Sequence, residues 1–189
     1  MKSAVLACSL ALLCVGFALP AAAAVREVVA AKSEITFSVK QMGVPVSGRF
    51  RRFDGQVQLD PDTLAASSAQ ISVDIASLTT GDEEADAVAL DEPWLDAAGH
   101  PRATFASSAV RALGDDRYEI SGELRIRGTP RTVTVPVTLE PQGDGALLAS
   151  GELRIRRTEF GIGGGEWNED ELVADEVPVR FRLYLAPAR

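Results

Sequence analysis

Few side chains in this chain of 189 residues have the chemistry of a catalytic or metal centre. The only histidine, His100, lies in the turn Ala98-Gly99-His100-Pro101, which favours a solvated imidazole over a general base. The two cysteines, Cys8 and Cys14, both lie near the N-terminus. The rest of the chain therefore lacks the side chains for a nucleophilic Cys–His pair or a thiolate-ligated zinc site. We predict no catalytic residue, no metal site and no cofactor.

Two acidic clusters and one glycine-rich run are the remaining candidates for chemistry. The clusters, residues 82–86 and 166–171, lack the spacing of a calcium-binding loop and are interpreted as solvated surface. A carboxylate pair assembled in space would make a hydrolase the alternative. The run from Phe160 to Glu166 lacks the final glycine and the following helix of a dinucleotide-binding loop. It is predicted to be an aromatic loop that leads into the last strand.

The N-terminal segment has the pattern of a secretory signal peptide. Lys2 precedes an apolar run from Ala4 to Leu19, and Ala22-Ala23-Ala24 offers small residues for cleavage. We predict that residues 1–24 are removed and that residues 25–189 form a single domain. The apolar run is too short for a spanning helix, so no stable membrane span is expected after cleavage. Because the mature chain has no cysteine, it can form no disulfide, and we predict a periplasmic location.

The overall charge limits the classes of partner. The formal net charge is −8, which argues against binding to nucleic acid and to anionic membrane surfaces. It does not disfavour a neutral apolar ligand. A homodimer is compatible with the sequence.

Most of the mature sequence alternates apolar and polar residues with a period of two, which is typical of strands with one buried face. Clean alternation favours antiparallel pairing, and short, evenly spaced strands favour a sandwich or barrel. The breaks carry turn residues, as at Gly114-Asp115-Asp116 and Gly128-Thr129-Pro130. We therefore predict an all-β, antiparallel fold of about eight strands, arranged as a sandwich or a barrel. The alternating rows are residues 35–39, 57–59, 71–75, 104–110, 118–126, 133–139, 147–155 and 177–185.

One segment, from Gly81 to Gly99, does not alternate. Residues 82–90 are predicted to form a short helix with Asp82 as its N-cap, and Pro93 ends it. The apolar pair Trp94-Leu95 follows. We interpret the segment as a helical plug or flap over one end of the barrel, and the alternative is a solvated loop.

The stretch from Val39 to Gly55 is unusually apolar and aromatic for a connection between strands. It carries Met42, Phe50 and Phe53 among several glycines. Two interpretations remain open. The stretch forms the mouth and upper wall of an apolar pocket, or it is a bulged β-corner whose aromatic side chains fill the core.

Taken together, these stretches resemble the YceI-like family of lipocalin-like, polyisoprenoid-binding proteins. The sequence departs from the family pattern at Gln41, where the family often has histidine, and at Asp86-Ala87-Val88-Ala89, where an Asp-x-His-Leu pattern is usual. The departures put a shared polar or metal-binding role in doubt and leave an apolar pocket unaffected. The resemblance is carried by residues 37–43, 48–55, 80–81, 86, 94–96, 101–105, 122–128 and 157–163.

The resemblance implies an extended, lipocalin-like barrel that holds a long isoprenoid chain. An eight-stranded barrel is wide enough for one such ligand. The expected function is therefore a non-enzymatic periplasmic carrier or storage protein for an isoprenoid or similar amphipathic lipid. The alternatives are the carboxylate hydrolase, with its site at the barrel mouth, and a filled, ligand-free barrel that acts as a stress-protective interaction module.

The expected binding site combines the apolar stretch, the flap and the aromatic loop. Trp94 is expected to cover the ligand without being needed for folding. Lys40 or Arg49 is expected near the polar end of the ligand. The predicted apolar lining is Phe37, Val39, Met42, Phe50, Phe53, Ile75, Trp94, Leu95, Phe105, Phe160, Ile162 and Phe181.

Overall fold

The computed structural model describes residues 24–59, 63–164, 167 and 172–188. Residues 1–23, which contain almost all of the predicted signal peptide, lie outside the described residues, as does most of the acidic run 166–171. In the part of the chain that is described, no helix is long and apolar enough to cross a membrane.

The described residues form one antiparallel sheet and one α-helix, which confirms the all-β class and the helical insertion. The sheet has eleven strands in the order β1-β4-β5-β7-β8-β9-β10-β11-β2-β3-β6. The helix, α1, spans Glu83–Leu90. The strands are β1 (Ala24–Glu27), β2 (Glu34–Gln41), β3 (Val44–Phe50), β4 (Phe53–Leu59), β5 (Ser68–Asp74), β6 (Leu78–Thr79), β7 (Arg102–Gly114), β8 (Arg117–Ile126), β9 (Thr129–Pro141), β10 (Leu147–Arg156) and β11 (Glu176–Leu185).

The predicted number of eight strands is corrected to eleven, chiefly because the apolar stretch after β2 is itself a strand. Met42 and Gly43 have φ angles of 48° and 80°, and the residues on either side of them, Gln41 and Val44, are paired. This is the two-residue turn with left-handed φ that suits a tight hairpin. The stretch therefore folds back on β2 as β3. The short strands β1 and β6 add the other two.

The sheet curls until its distant parts meet. The amide of Val28 donates a hydrogen bond of 2.9 Å to the carbonyl of Gly55 in β4. The same residue forms a bridge with Leu185 in β11, although β4 and β11 are far apart in the strand order. A flat sheet could not allow both contacts, so the segment after β1 joins the two sides of a barrel-like sheet.

Apolar and polar residues alternate along the strands, so one face of the sheet is apolar and lies inward. The inward residues form a first core cluster whose buried members are Ile35, Phe53, Val135, Val137, Ala149, Leu183 and Leu185.

The helical insertion begins as predicted. The carboxylate of Asp82 accepts hydrogen bonds from the amides of Glu84 and Ala85, which satisfies two free donors of the first turn. No residue of α1 is buried. The helix therefore contributes little to the core, and the turns that follow it, from Asp91 to His100, carry the apolar contacts described below.

Candidate functional site

The inner face of the sheet is apolar, and many of its side chains are only half-buried. A fully packed core would bury its apolar side chains almost completely. Here the fully buried residues are surrounded by a larger group that retains access to solvent. This group is Val28, Phe50, Val57, Ile71, Val73, Phe105, Ile120, Val133, Leu139, Leu147, Leu153, Val179 and Phe181.

Aromatic rings on this face pack directly against glycines of neighbouring strands. A Cβ atom built on Gly48 would lie 2.4 Å from Cζ of Phe37, its partner across β2 and β3. A Cβ atom on Gly151 would lie 2.6 Å from Cζ of Phe181, its partner across β10 and β11. Real Cβ atoms do not approach so closely, so only glycine allows these rings to rest on the wall. The rings are thereby kept close to the sheet instead of projecting inward.

A second core cluster closes one end of the curled sheet, and we call it the cap. Its buried members are Ile155, Phe160 and Ile162. Trp94 and Leu95, which follow α1, pack against it, so the helical insertion does cover one end of the barrel. Strand residues Leu124, Ile126, Leu153, Val177 and Val179 complete the cluster.

Arg157 organises the loop of the cap. Its side chain is buried, with 1% exposure, and every hydrogen bond that it donates goes to a backbone carbonyl. Nη1 donates to Ile162 (3.0 Å) and Gly163 (2.8 Å). Nη2 donates to Trp167 (2.6 Å) and Val173 (2.7 Å), and Nε donates to Ala174 (3.3 Å). One guanidinium thus ties Ile162 and Gly163 to Val173 and Ala174, on the two sides of the loop.

Arg127 fastens the same loop to the helical insertion. Its guanidinium donates to the carbonyl of Gly161 and, at 3.0 Å, to that of Glu92. The amide of Gly163 also donates to the carbonyl of Pro93 at 2.8 Å. The cap is therefore held by backbone carbonyl contacts as well as by apolar packing.

A carboxylate at the start of β11 completes the support of the loop. Partial burial alone would raise the pKa of Asp175, but hydrogen bonds from the hydroxyl (2.7 Å) and amide (3.0 Å) of Thr158 outweigh it. The positive charges of Arg156 and Arg157 act in the same direction. The net effect is a pKa below the usual range, so Asp175 is an anion at neutral pH.

The structure gathers most of the predicted apolar residues into the two clusters. Phe50, Phe53, Phe105 and Phe181 belong to the first cluster. The ring of Phe37 lies 5.7 Å from that of Phe50, measured between centroids. Val39 is half-buried in β2 beside them, and Ile75 is buried in the turn after β5. The four residues Trp94, Leu95, Phe160 and Ile162 form the cap.

Three predicted residues are exposed to solvent instead of facing inward. Met42 is at the tip of the β2–β3 hairpin with 70% exposure. Lys40 is exposed near the same tip, and its carbonyl accepts a hydrogen bond of 2.8 Å from Ala174. Arg49 is exposed on the outer face, because its neighbours Gly48 and Phe50 face inward.

Arg127, Arg157 and the wall glycines were missed by the sequence reasoning. Arg154 and Arg156 occupy outward positions of β10. Arg157 comes at the next inward position, where the alternation of that strand calls for an apolar side chain. A charged residue at an inward position just before a run of glycines is the signal from which the role of Arg157 could have been predicted. The inward glycines have a similar one, because Gly48 and Gly151 occupy positions where the period requires an apolar side chain.

Polar groups elsewhere form no cluster with the composition of a metal centre. Within the described ranges, no group of three or more His, Cys, Asp or Glu side chains is close enough to hold an ion. His100 lies 3.6 Å from the carboxylate of Asp96 within its own turn. A surface cleft of about 540 Å³ crosses β4, β5 and β7, and Phe105 is one of its lining residues.

The sequence and architecture of this chain match those of known proteins. A model of the YceI-like domain matches residues 27–185. A UPF0312 protein of Vibrio cholerae is 33% identical over 137 residues, which covers 71% of this chain and 72% of that protein. The crystal structure of Burkholderia cenocepacia BcnA is 41% identical, with a TM-score of 0.79 over 83% of this chain and 98% of that one.

A more distant structure shares the fold alone. It is a polyisoprenoid binding domain from Saccharophagus degradans implicated in plant cell wall breakdown. Its sequence identity is 18%, and its TM-score is 0.71 over 87% of this chain and 98% of that domain. The family match and the close structural match together confirm the resemblance that the motifs indicated: this chain belongs to the YceI-like family.

Proposed function

We propose that the protein binds an isoprenoid or similar amphipathic lipid against the inner face of its curled sheet and catalyses no reaction. The observation that carries the proposal is the half-buried apolar inner face. An apolar surface of this extent that retains access to solvent is unfavourable unless something covers it. A long hydrocarbon chain would cover it without needing many polar contacts, because each buried methylene contributes about 0.8 kcal/mol.

The rings that lie against wall glycines support a long, flexible ligand. They keep aromatic surface available at the wall, as at Phe37 and Phe181. The distant structural relative from Saccharophagus degradans is a polyisoprenoid binding domain, which agrees with this class of ligand. The cap would form the closed end of such a site, since Trp94 and Phe160 pack together there.

The biological role that we propose is that of a periplasmic carrier or storage protein, exported by the N-terminal signal. Sequencing of the mature N-terminus should find cleavage near Ala24. Recovery of the full-length chain in the cytoplasmic fraction alone would contradict this location.

The binding proposal is tested by mass spectrometry of organic extracts from the purified protein, followed by rebinding of a fluorescent prenyl probe. Val133 is half-buried on the inner face, and its neighbour Thr132 is exposed. Val133→Glu should therefore weaken probe binding strongly, while the matched control Thr132→Glu should not. Circular dichroism would verify that both variants fold.

Three results would favour other functions. Repeated absence of extracted lipid and of probe binding would favour a filled, ligand-free barrel. Equal probe binding by Val133→Glu and the wild type would place the ligand elsewhere. Turnover that depends on a single carboxylate would favour the hydrolase.

A further inference from the structure

Three arginines differ from the others in having no side-chain partner. Among the described residues, the remaining arginines each donate a side-chain hydrogen bond or form an ion pair, to a carboxylate, a hydroxyl or a carbonyl. Arg49, Arg51 and Arg182 have no such contact with any part of the described chain. An unpartnered guanidinium is a donor of five N–H groups that remains available to a ligand.

The three arginines are neighbours on the outer face of the sheet. Arg49 pairs with Thr36 across β2 and β3, and Arg182 lies on β11 between the inward residues Phe181 and Leu183. Arg51 follows β3 directly. Two clefts contain them. Arg49 and Arg51 line cleft A, of about 460 Å³, and also cleft B, of about 450 Å³, where Arg182 joins them.

The charge of this surface is opposite to that of the whole protein. Arg180 also lines cleft A and Lys32 lines cleft B, while Glu34 is the one carboxylate among the lining residues of the two clefts. Arg180 is engaged by Glu152 at 2.7 Å, and Lys32 lies 4.5 Å from the ring centroid of Tyr184. Glu34 lies directly opposite Arg182 across β2 and β11, and Asp86 lies within electrostatic reach of Arg51. The lining of the two clefts still carries five cations against one carboxylate, in a chain with a formal net charge of −8, and this local excess of positive charge favours the binding of an anion.

The neutral lining of cleft A supplies matching donors. Hydroxyl groups of Thr36, Ser38, Ser47, Thr79 and Thr80 line it between the arginines. The hydroxyls of Thr79 and Thr80 are both engaged by the carboxylate of Asp86. The Ser38 hydroxyl, in contrast, accepts from Ser47 at 3.4 Å, so its own proton remains available. Guanidinium forks with hydroxyl donors are the groups that bind the several oxygens of a phosphate group.

We propose that clefts A and B form a binding site for a phosphate-class oxyanion, with Arg49, Arg51 and Arg182 as its principal ligands. The three arginines lie on the outer face, although cleft B also borders Phe50 and Phe53 of the inner face. The oxyanion proposal does not depend on the lipid-binding proposal. The oxyanion can belong to a free phosphate or phosphate ester, or to the headgroup of a phospholipid. Both present the same oxygens to the arginines.

The test compares two triple variants with the same change in charge. Arg49→Gln, Arg51→Gln and Arg182→Gln remove the proposed ligands. Arg102→Gln, Arg111→Gln and Arg117→Gln form the control, because each of these exposed arginines is already paired with a carboxylate, at 3.0, 2.6 and 3.4 Å. Calorimetric titration with inorganic phosphate measures the free anion. Sedimentation with phosphatidylcholine vesicles, with and without phosphatidylglycerol, measures the headgroup.

We expect saturable binding of at least one probe by the wild type and the control. The cluster variant should bind about tenfold or more weakly, because charge-assisted hydrogen bonds are lost. Phosphate binding without vesicle binding identifies a soluble ligand, and binding to phosphatidylglycerol vesicles alone identifies a headgroup. No binding of either probe by the wild type would overturn the proposal. An equal loss in both triple variants would also overturn it, because it would reflect net charge alone.

Discussion

Replacement of Arg157 by methionine should destabilise the protein strongly and locally. Methionine has a similar length and fills the buried space, but it donates no hydrogen bond. The substitution leaves the carbonyls of Ile162, Gly163 and Val173 without their donor. Each buried polar group that loses its partner costs about 1–3 kcal/mol. Removing a buried charge recovers part of that cost, so we expect a net loss of about 3–5 kcal/mol in the free energy of unfolding.

The chain contains a built-in reporter for this change. It has two tryptophans, and both lie at the cap, where the ring centroids of Trp94 and Trp167 are 5.8 Å apart. Tryptophan emission therefore reports on the cap, while far-UV circular dichroism reports on the sheet. In urea, Arg157→Met should lose the native tryptophan signal before the strand signal. Arg154→Met is the matched control, and because its ion pairs with Glu152 and Glu176 are exposed, its urea midpoint should stay close to that of the wild type.

A loss below about 1 kcal/mol for Arg157→Met, with unchanged tryptophan emission, would refute this reasoning, because it would show that water or another donor satisfies the loop carbonyls. If the methionine variant fails to fold, Arg157→Lys provides the second measurement. A lysine keeps the charge but lacks the planar fork. Arg157→Lys should fold, with a free energy of unfolding that is lower than that of the wild type.

Three further predictions concern the cap, the wall and acid stability. Trp94→Ala should lower the free energy of unfolding by about 2–4 kcal/mol, because Trp94 packs against the cap cluster. Urea melts followed by circular dichroism measure this change. An unchanged stability with weaker lipid retention would instead support a flap that is dispensable for folding. Gly151→Ala should cost about 1–3 kcal/mol, since its Cβ would lie 2.5 Å from the Pro136 carbonyl oxygen, whereas Gly143→Ala, with no atom within 4 Å, should cost less than half as much. The pKa of Asp86 is lowered by hydrogen bonds from the amide and hydroxyl of Thr80, so its contribution to stability is present above the pKa of the unfolded chain and is lost as the pH falls through the lower folded pKa. Asp86→Asn should therefore flatten the loss of stability below about pH 4, and an acid limb identical to that of the wild type would contradict the assignment.

The inner face was largely predictable because a strand assigns its residues to faces by parity. Val133, Val135 and Val137 occupy every second position of the sequence, and the structure places them together in the first cluster. The strand β3 was not predictable in the same way. Gly48 interrupts its inward row, and the bulk missing there is supplied by the ring of Phe37 from the neighbouring strand.

The cap, too, was only partly predictable from the sequence. Its apolar members, such as Trp94 and Phe160, were singled out from composition and motif. The partners of Arg157 were not, because they are backbone carbonyls, and every residue of the chain presents one. Only the path of the loop decides which carbonyls a buried guanidinium meets.

The sequence by itself determined the features that depend on near neighbours. Alternation set the inward and outward faces, Asp82 set the start of α1, and the pair Arg127-Gly128, with φ angles of 48° and 71°, set the turn between β8 and β9. These features depend on interactions within a few residues, so the local sequence specifies them.

The tertiary structure alone decided the features that join distant parts of the chain. They include the contact of Val28 with Leu185, the carbonyl cage around Arg157, and the absence of a partner for Arg49 within the described residues. Each depends on the register and curl of the whole sheet, because a pairing between strands is fixed by the sum of many weak contacts along them. No short stretch of sequence contains that sum, which is why these features became visible only once the strands were placed side by side.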